Sequence, residues 1–159
     1  MDEENSVHPD ARAACLPYGT WPSPISAAAI VESGVRLFQP QLDGGRAYWL
    51  ETRPQDEGRT VLVGERPDGD PVDLSPPNFS VRSRVHEYGG GAYTVADGNL
   101  VFANFGDQRL YRQVPGDGPQ PITPQVDLRY ADGVYDRHRD RLVCVREDHT
   151  QAGREAVNT

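Results

Sequence analysis

From residue 35 onward the chain alternates between short apolar runs and polar turn clusters. Residues 36–42 (RLFQPQL) end at Asp43-Gly44-Gly45, and 47–51 (AYWLE) rise directly after that turn. Residues 60–63 (TVLV) come next, then the turn 67–70 (PDGD) and a short run 72–74 (VDL) that stops at Pro76-Pro77. Runs rich in β-branched and aromatic residues, bounded by Gly, Pro and Asp, predict strands with hairpin spacing. The same order returns after Gly89-Gly90-Gly91: 92–95 (AYTV), Asp97-Gly98, 100–103 (LVFA), 109–112 (RLYR), the turn 115–118 (PGDG) and 121–124 (PITP). A third unit opens at 130–136 (YADGVYD) and continues through 141–145 (RLVCV).

A period of roughly 45 residues, each unit holding four short strands, favours propeller blades over a sandwich. The expected fold is therefore all-β: a partial β-propeller of about two and a half four-stranded blades, preceded by a short helix. For that helix Ser23 is the cap, Pro24 the first position and residues 25–31 (ISAAAIV) the body, closing near Gly34. The expected organisation is a polar arm over 1–17, a turn-rich segment with the helix over 18–34, and propeller units over 35–159. An unclosed blade set leaves strand edges exposed, so the expected segment is poorly stable by itself.

Composition agrees with many short strands. In 159 residues, 36% are hydrophobic, with 16 Gly and 14 Pro, which is poor in apolar residues and rich in turn formers. The net charge of −8 repels polyanions. Every basic residue is Arg and these are scattered among acids, so no basic stripe exists for nucleic acid. Cys15 and Cys144 form neither a disulfide framework nor a zinc pattern, and a single bridge between them stays open. Met1 is followed by acidic residues rather than a basic leader, and no apolar run approaches the ~20 residues of a membrane helix. The reading is a soluble, cytoplasmic chain without a membrane partner. His8, His86, His138 and His149 lack the i, i+4 spacing of a helical metal site, so neither metal nor cofactor is expected. Tyr48, Trp49, Phe102 and Tyr111 fall within strands and are read as packing between blades, with Cys144 as a small buried hydrophobe.

Residues 84–91 (RVHEYGGG) stand out, because ionisable and aromatic side chains run straight into three glycines. Glycines in series permit positive φ or a close backbone approach. No Gly-Lys-Ser/Thr ending follows, and the glycines are contiguous with no helical pattern after them, so neither a phosphate loop nor a dinucleotide fingerprint is present.

Five stretches in the same order, 18–25 (YGTWPSPI), 84–91 (RVHEYGGG), 104–111 (NFGDQRLY), 128–132 (LRYAD) and 145–149 (VREDH), resemble the amino-terminal part of the prolyl oligopeptidase family of serine peptidases. The similarity is to the dipeptidyl aminopeptidase and acylaminoacyl-peptidase branch. It implies an amino-terminal β-propeller that gates and orients short peptides for a carboxy-terminal α/β-hydrolase domain. There a Ser-His-Asp triad works from a Gly-x-Ser-x-Gly elbow. No serine of this chain has that setting, so no catalytic residue is assigned and the chain is expected to be inactive alone. The implied partners are the hydrolase domain, a peptide substrate and a further copy in a homo-oligomer.

On this resemblance Arg84, His86, Glu87 and Tyr88 lie on a blade-connecting segment facing the hydrolase domain, Glu87 pairing with a peptide amine and Arg84 with a carboxylate. The competing reading has them tying one blade to the next by hydrogen bonds. Glu147 and Asp148, just past an apolar strand, form a second candidate pair for an amino terminus, against which stands a role as solvated loop charges. The alternative to the peptidase reading as a whole is a non-catalytic repeat module that binds a protein or peptide and closes its blade set by self-association.

Overall fold

A computed structural model describes Pro17, residues 25–27 and residues 34–159. The helix expected over residues 25–31, and the arm ahead of it, lie outside the described residues apart from these few positions. The rest is built from short antiparallel strands: β1 (Arg36–Asp43), β2 (Arg46–Arg53), β3 (Arg59–Glu65), β4 (Pro71–Asp73), β5 (Tyr93–Ala96), β6 (Asn99–Ala103), β7 (Leu110–Gln113), β8 (Gln120–Pro121), β9 (Leu128–Asp136), β10 (Arg141–Asp148) and β11 (Val157–Asn158). A single 3-10 turn, Pro54–Asp56, joins β2 to β3. The turn chemistry explains the hairpins. Gly44 and Gly45 (φ 56° and 77°) close β1 onto β2, and Asp97 and Gly98 (φ 51° and 74°) close β5 onto β6. Two positive-φ residues in a two-residue loop match the right-handed twist of the strands they join.

Three sheets result, ordered β1-β2-β3-β4, β5-β6-β7-β8 and β9-β10-β11. The last strand was not anticipated. It forms where Glu147 and Asp148 pair with Asn158 and Val157. The sheets stack face to face, and alternation along β6 shows how. Leu100 and Phe102 point into a cluster with Tyr48, Leu50, Leu62, Val81, Ala92 and Tyr93. Ala103 and the partly buried Val101 point the other way, to Leu110, Leu128, Tyr130, Leu142 and Cys144. The second sheet is thus covered on both faces. Phe102, fully buried, takes Phe79 edge-on at 5.7 Å and stacks with Tyr111 at 6.1 Å.

The first strands of the three sheets stand side by side, β5 between β1 and β9. Gln41 binds β5 twice across this seam, its Nε2 donating to Tyr93 O at 2.9 Å and its Oε1 accepting from Val95 N at 3.3 Å. One end of the stack is tied by Asp43, which accepts from Asp97 N and Gly98 N (3.2 and 2.8 Å) and pairs with Arg137 at 3.1 Å. The chain passes from the outermost strand of one sheet to the innermost of the next, an arrangement consistent with a partial propeller. Residues 74–92 make the first such crossing. The flanks of the stack carry apolar residues: cross-strand partners Val134 and Val143 are 66% and 52% exposed, and Leu37 and Leu42 are also exposed.

Candidate functional site

The crossing segment from Val81 to Ala92 is a hub that touches all three sheets. Its start runs along the second sheet, with Arg82 N donating to Ala103 O at 3.1 Å and Val81 N to Thr60 O of β3 at 2.8 Å. Ser83, buried, donates from its hydroxyl to Tyr130 O at 2.6 Å, and Arg84 N donates to Gln108 Oε1 at 2.8 Å. At its far end Gln39 of β1 brackets the glycines, donating to Gly90 O and accepting from Ala92 N, both at 3.0 Å.

The three glycines do different jobs. Only Gly89 has positive φ, at 90°. Gly90 and Gly91 are there for closeness: a Cβ at Gly90 would fall 2.8 Å from both the Ala131 Cβ and Asp132 Oδ2, and one at Gly91 would fall 2.9 Å from Asp132 Oδ1. In that space Gly91 N donates to Asp132 Oδ1 at 2.6 Å and Asp132 N returns a bond to Gly91 O at 2.8 Å.

The turn between Arg84 and Gly89 holds its strain elsewhere. His86 and Glu87 both adopt left-handed backbone, φ 55° and 64°. For L-residues this costs about 1–2 kcal/mol each, so neighbouring groups must hold the turn. Glu147 and Arg129, cross-strand partners on β10 and β9, do so. The Glu147 carboxylate, with its side chain 5% exposed, accepts from His86 N at 2.7 Å through Oε1, and His86 Nδ1 lies 3.1 Å from the same oxygen. Its Oε2 contacts His149 Nε2 at 3.0 Å. Burial works to raise this carboxyl, but the bonds from His149 and from the His86 backbone outweigh it and hold it below the usual carboxylate range. Arg129 supplies the opposite polarity, donating from Nη1 to Arg84 O at 3.1 Å and to Glu87 Oε1 at 3.0 Å.

Above this foundation the side chains face out. The Glu87 side chain is 85% exposed, and its Oε2 has no partner among the described residues. Tyr88 is equally exposed at 85%, with its ring tilted against that of His86 at 5.9 Å. Arg84 lies over the Phe105 ring at 4.3 Å, and Arg82 over the same ring at 4.9 Å. Neither guanidinium has a carboxylate partner among the described residues. Beside the turn runs a cleft of about 390 Å³ walled by Tyr88, Gly89, Gly90, Arg82, Arg36 and Phe38.

The structure therefore brings Arg84, His86, Glu87, Tyr88 and Glu147 together, with Glu147 underneath. Asp148 takes no part. It accepts from the Thr150 hydroxyl and amide at 2.6 and 2.9 Å, which hold its carboxyl below the usual range. Sequence reasoning missed Arg129 and Gln108, whose roles depend on contacts across 45 and 24 residues. No group of three or more His, Cys, Asp or Glu among the described residues is arranged to hold a metal ion.

No protein-family model matches the chain, and no curated protein does. Solved structures do. A Mycobacterium tuberculosis puromycin-hydrolysing peptidase is 43% identical with a TM-score of 0.72, over 82% of this chain and 22% of that one. A puromycin hydrolase is 38% identical with a TM-score of 0.73, over 85% of this chain and 22% of its own, and a mutant of it complexed with PGG matches equally. The chain belongs to the prolyl oligopeptidase family. It corresponds to the amino-terminal portion of those peptidases and spans about a fifth of their length. The resemblance carried by the ordered stretches from YGTWPSPI to VREDH is thereby accounted for at the level of the family.

Proposed function

We propose that this chain is propeller from a serine peptidase of the family, and that its 84–88 turn receives the peptide for an α/β-hydrolase domain of the same polypeptide. One observation carries the reading: an exposed carboxylate and an exposed aromatic ring, Glu87 and Tyr88, sit on a strained turn that three sheets hold rigid. A rigid loop that projects a carboxylate paired through one oxygen only is better suited to binding than to packing. Glu87 takes the amine of the substrate through its free Oε2. Tyr88 offers its ring to the adjoining side chain, and Arg84, stacked on Phe105, takes a carboxylate.

The division of labour follows from chemistry. The sequence holds no Gly-x-Ser-x-Gly elbow, so these groups bind and orient while bond cleavage belongs to the hydrolase domain. The neighbours' names make puromycin the first compound to test, beside aminoacyl and acyl-aminoacyl chromogenic substrates. In the peptidase carrying this chain, Glu87→Ala raises KM for free-amine substrates, leaves kcat nearly unchanged and spares N-acylated ones. An unaltered KM for free-amine substrates removes Glu87 from the substrate path.

The exposed flanks favour a second reading in which the three sheets complete themselves by association. Val134, Val143, Leu37 and Leu42 present apolar surface of the kind that a neighbouring blade or a second copy covers. Light scattering on the chain separates the two: a defined oligomer supports association, and a monomer or heterogeneous aggregates favour covering by further blades.

A further inference from the structure

Glu147 and Asp148 are adjacent acids at the end of β10, yet their surroundings are opposite. Asp148 serves a local turn at Thr150. Glu147 points beneath the 84–88 turn, where its two oxygens meet three nitrogens: the amide and ring of His86 and the ring of His149. No room is left on it for a substrate amine, and it is shielded from solvent.

We propose that Glu147 is a positioning residue: it fixes His86, and through His86 the presentation of Glu87 and Tyr88, without touching substrate. The path is short and physical. His86 has left-handed backbone, and this folds its ring back so that Nδ1 and its own N–H reach the same carboxylate oxygen. That two-point hold fixes both the peptide plane leading into Glu87 and the plane of the imidazole. The imidazole in turn supports the Tyr88 ring at 5.9 Å. His149, partly buried, occupies the second oxygen and keeps the carboxylate from rotating away. Arg129 acts beside it on the acceptors of the same turn, Arg84 O and the Glu87 carboxylate. A buried acid takes the donors and a neighbouring guanidinium takes the acceptors, so the turn is held by complementary partners on adjacent strands.

The proposal rests on the reading of Glu87 and Tyr88 as substrate contacts, and two measurements keep the questions apart. The first is kinetic, on the peptidase carrying this chain. Glu147→Ala raises KM for a free-amine aminoacyl anilide about tenfold, as expected for loss of charge-assisted hydrogen bonds, with kcat within about twofold. Glu147→Gln keeps one acceptor for the His86 amide and falls between Ala and the parent. A purely structural Glu147 would instead lower the folded fraction and leave KM unmoved. The second is amide exchange of the chain itself: Glu147→Ala speeds exchange at His86 and Gly89 about tenfold or more while Leu62 in β3 keeps its protection. If Glu147→Ala fails to fold, Glu147→Gln and His149→Ala are read in its place, each with a smaller effect in the same direction.

An unmoved KM in a Glu147 variant, when Glu87→Ala raises it, overturns the positioning role and leaves the substrate contact standing. If Glu87→Ala changes nothing, the substrate reading falls. Exchange then decides the hold by itself: unchanged protection at His86 and Gly89 overturns it, and selective loss there supports it.

Discussion

Three glycines share nearly the same backbone angle but not the same surroundings, and this allows a packing cost to be isolated from a conformational one. Gly69, Gly89 and Gly116 have φ of 91°, 90° and 89°. A Cβ at Gly69 or Gly116 meets nothing within 4 Å, whereas at Gly89 it falls 3.0 Å from the Ser83 backbone oxygen. Replacing any of them by Ala imposes a left-handed conformation costing about 1–2 kcal/mol. Reduced freedom of the unfolded chain returns about 0.4–1 kcal/mol. Gly69→Ala and Gly116→Ala should therefore destabilise by roughly 1 kcal/mol or less. At Gly89 the clashing atom cannot swing aside. It belongs to Ser83, whose side chain is bound to Tyr130 O, while the Gly89 amide is bound to Val85 O. Overpacking against fixed atoms adds about 1–3 kcal/mol, for a total of about 2–4 kcal/mol. Urea unfolding of the chain, followed by intrinsic fluorescence and circular dichroism, should show Gly89→Ala lowering the midpoint by about 1–2 M. The two controls should move it by a few tenths. A Gly89→Ala midpoint no lower than that of Gly116→Ala would refute the argument that the turn is held against Ser83.

Four further outcomes follow from named contacts. Phe102→Ala empties the centre of the first core cluster and should cost about 3–5 kcal/mol, read as a fall in the urea midpoint with unchanged slope. The Glu147 and Asp73 carboxyls both lie below their usual range, Asp73 through its paired hydrogen bonds from Arg53 at 2.7 and 2.8 Å. Depressed acids contribute stability that is complete above their unfolded pKa near 4 and is lost as pH falls through the folded values. The midpoint should thus hold from about pH 6 to 5 and decline below about pH 4. Glu147→Gln should flatten that acid limb, with the imidazoles of His86 and His149 and the guanidinium of Arg129 as the groups facing it. The Cys144 thiol is pushed up by burial between the second and third sheets, so its alkylation near pH 8, located by peptide mass, should be slow in the native chain and fast in urea. Val143→Lys on the exposed face of β10 should leave the unfolding free energy within about 0.5 kcal/mol while reducing association of the chain at high concentration.

Much of the architecture was legible because strands and hairpins are local. The runs at 36–42, 47–51 and 100–103 are short, carry apolar and aromatic residues and are bounded by turn formers, and Asp43-Gly44-Gly45 and Asp97-Gly98 carry the positive φ that tight hairpins demand. Strand β11 was not legible. Val157 and Asn158 have no pattern of their own and become a strand only because Glu147 and Asp148 offer them an edge.

The sequence by itself determined most of the strands, the hairpin turns, the repeat and the cluster of chemical groups at 84–91, since each follows from residues that are neighbours in the chain. It also determined that no Gly-x-Ser-x-Gly segment is present. The tertiary structure decided what surroundings those groups meet. Only folding sets Glu147 beneath His86, 61 residues away, and Asp132 against Gly91, 41 residues away. Only folding places the left-handed strain on His86 and Glu87 rather than on all the glycines beside them. The physical reason is that a carboxylate's character depends on which donors converge on it, and that convergence is made by sheets stacking at long range. In the chain Glu87, Glu147 and Asp148 are three similar acids. In the fold one faces solvent, one is buried under a turn and one serves its own loop.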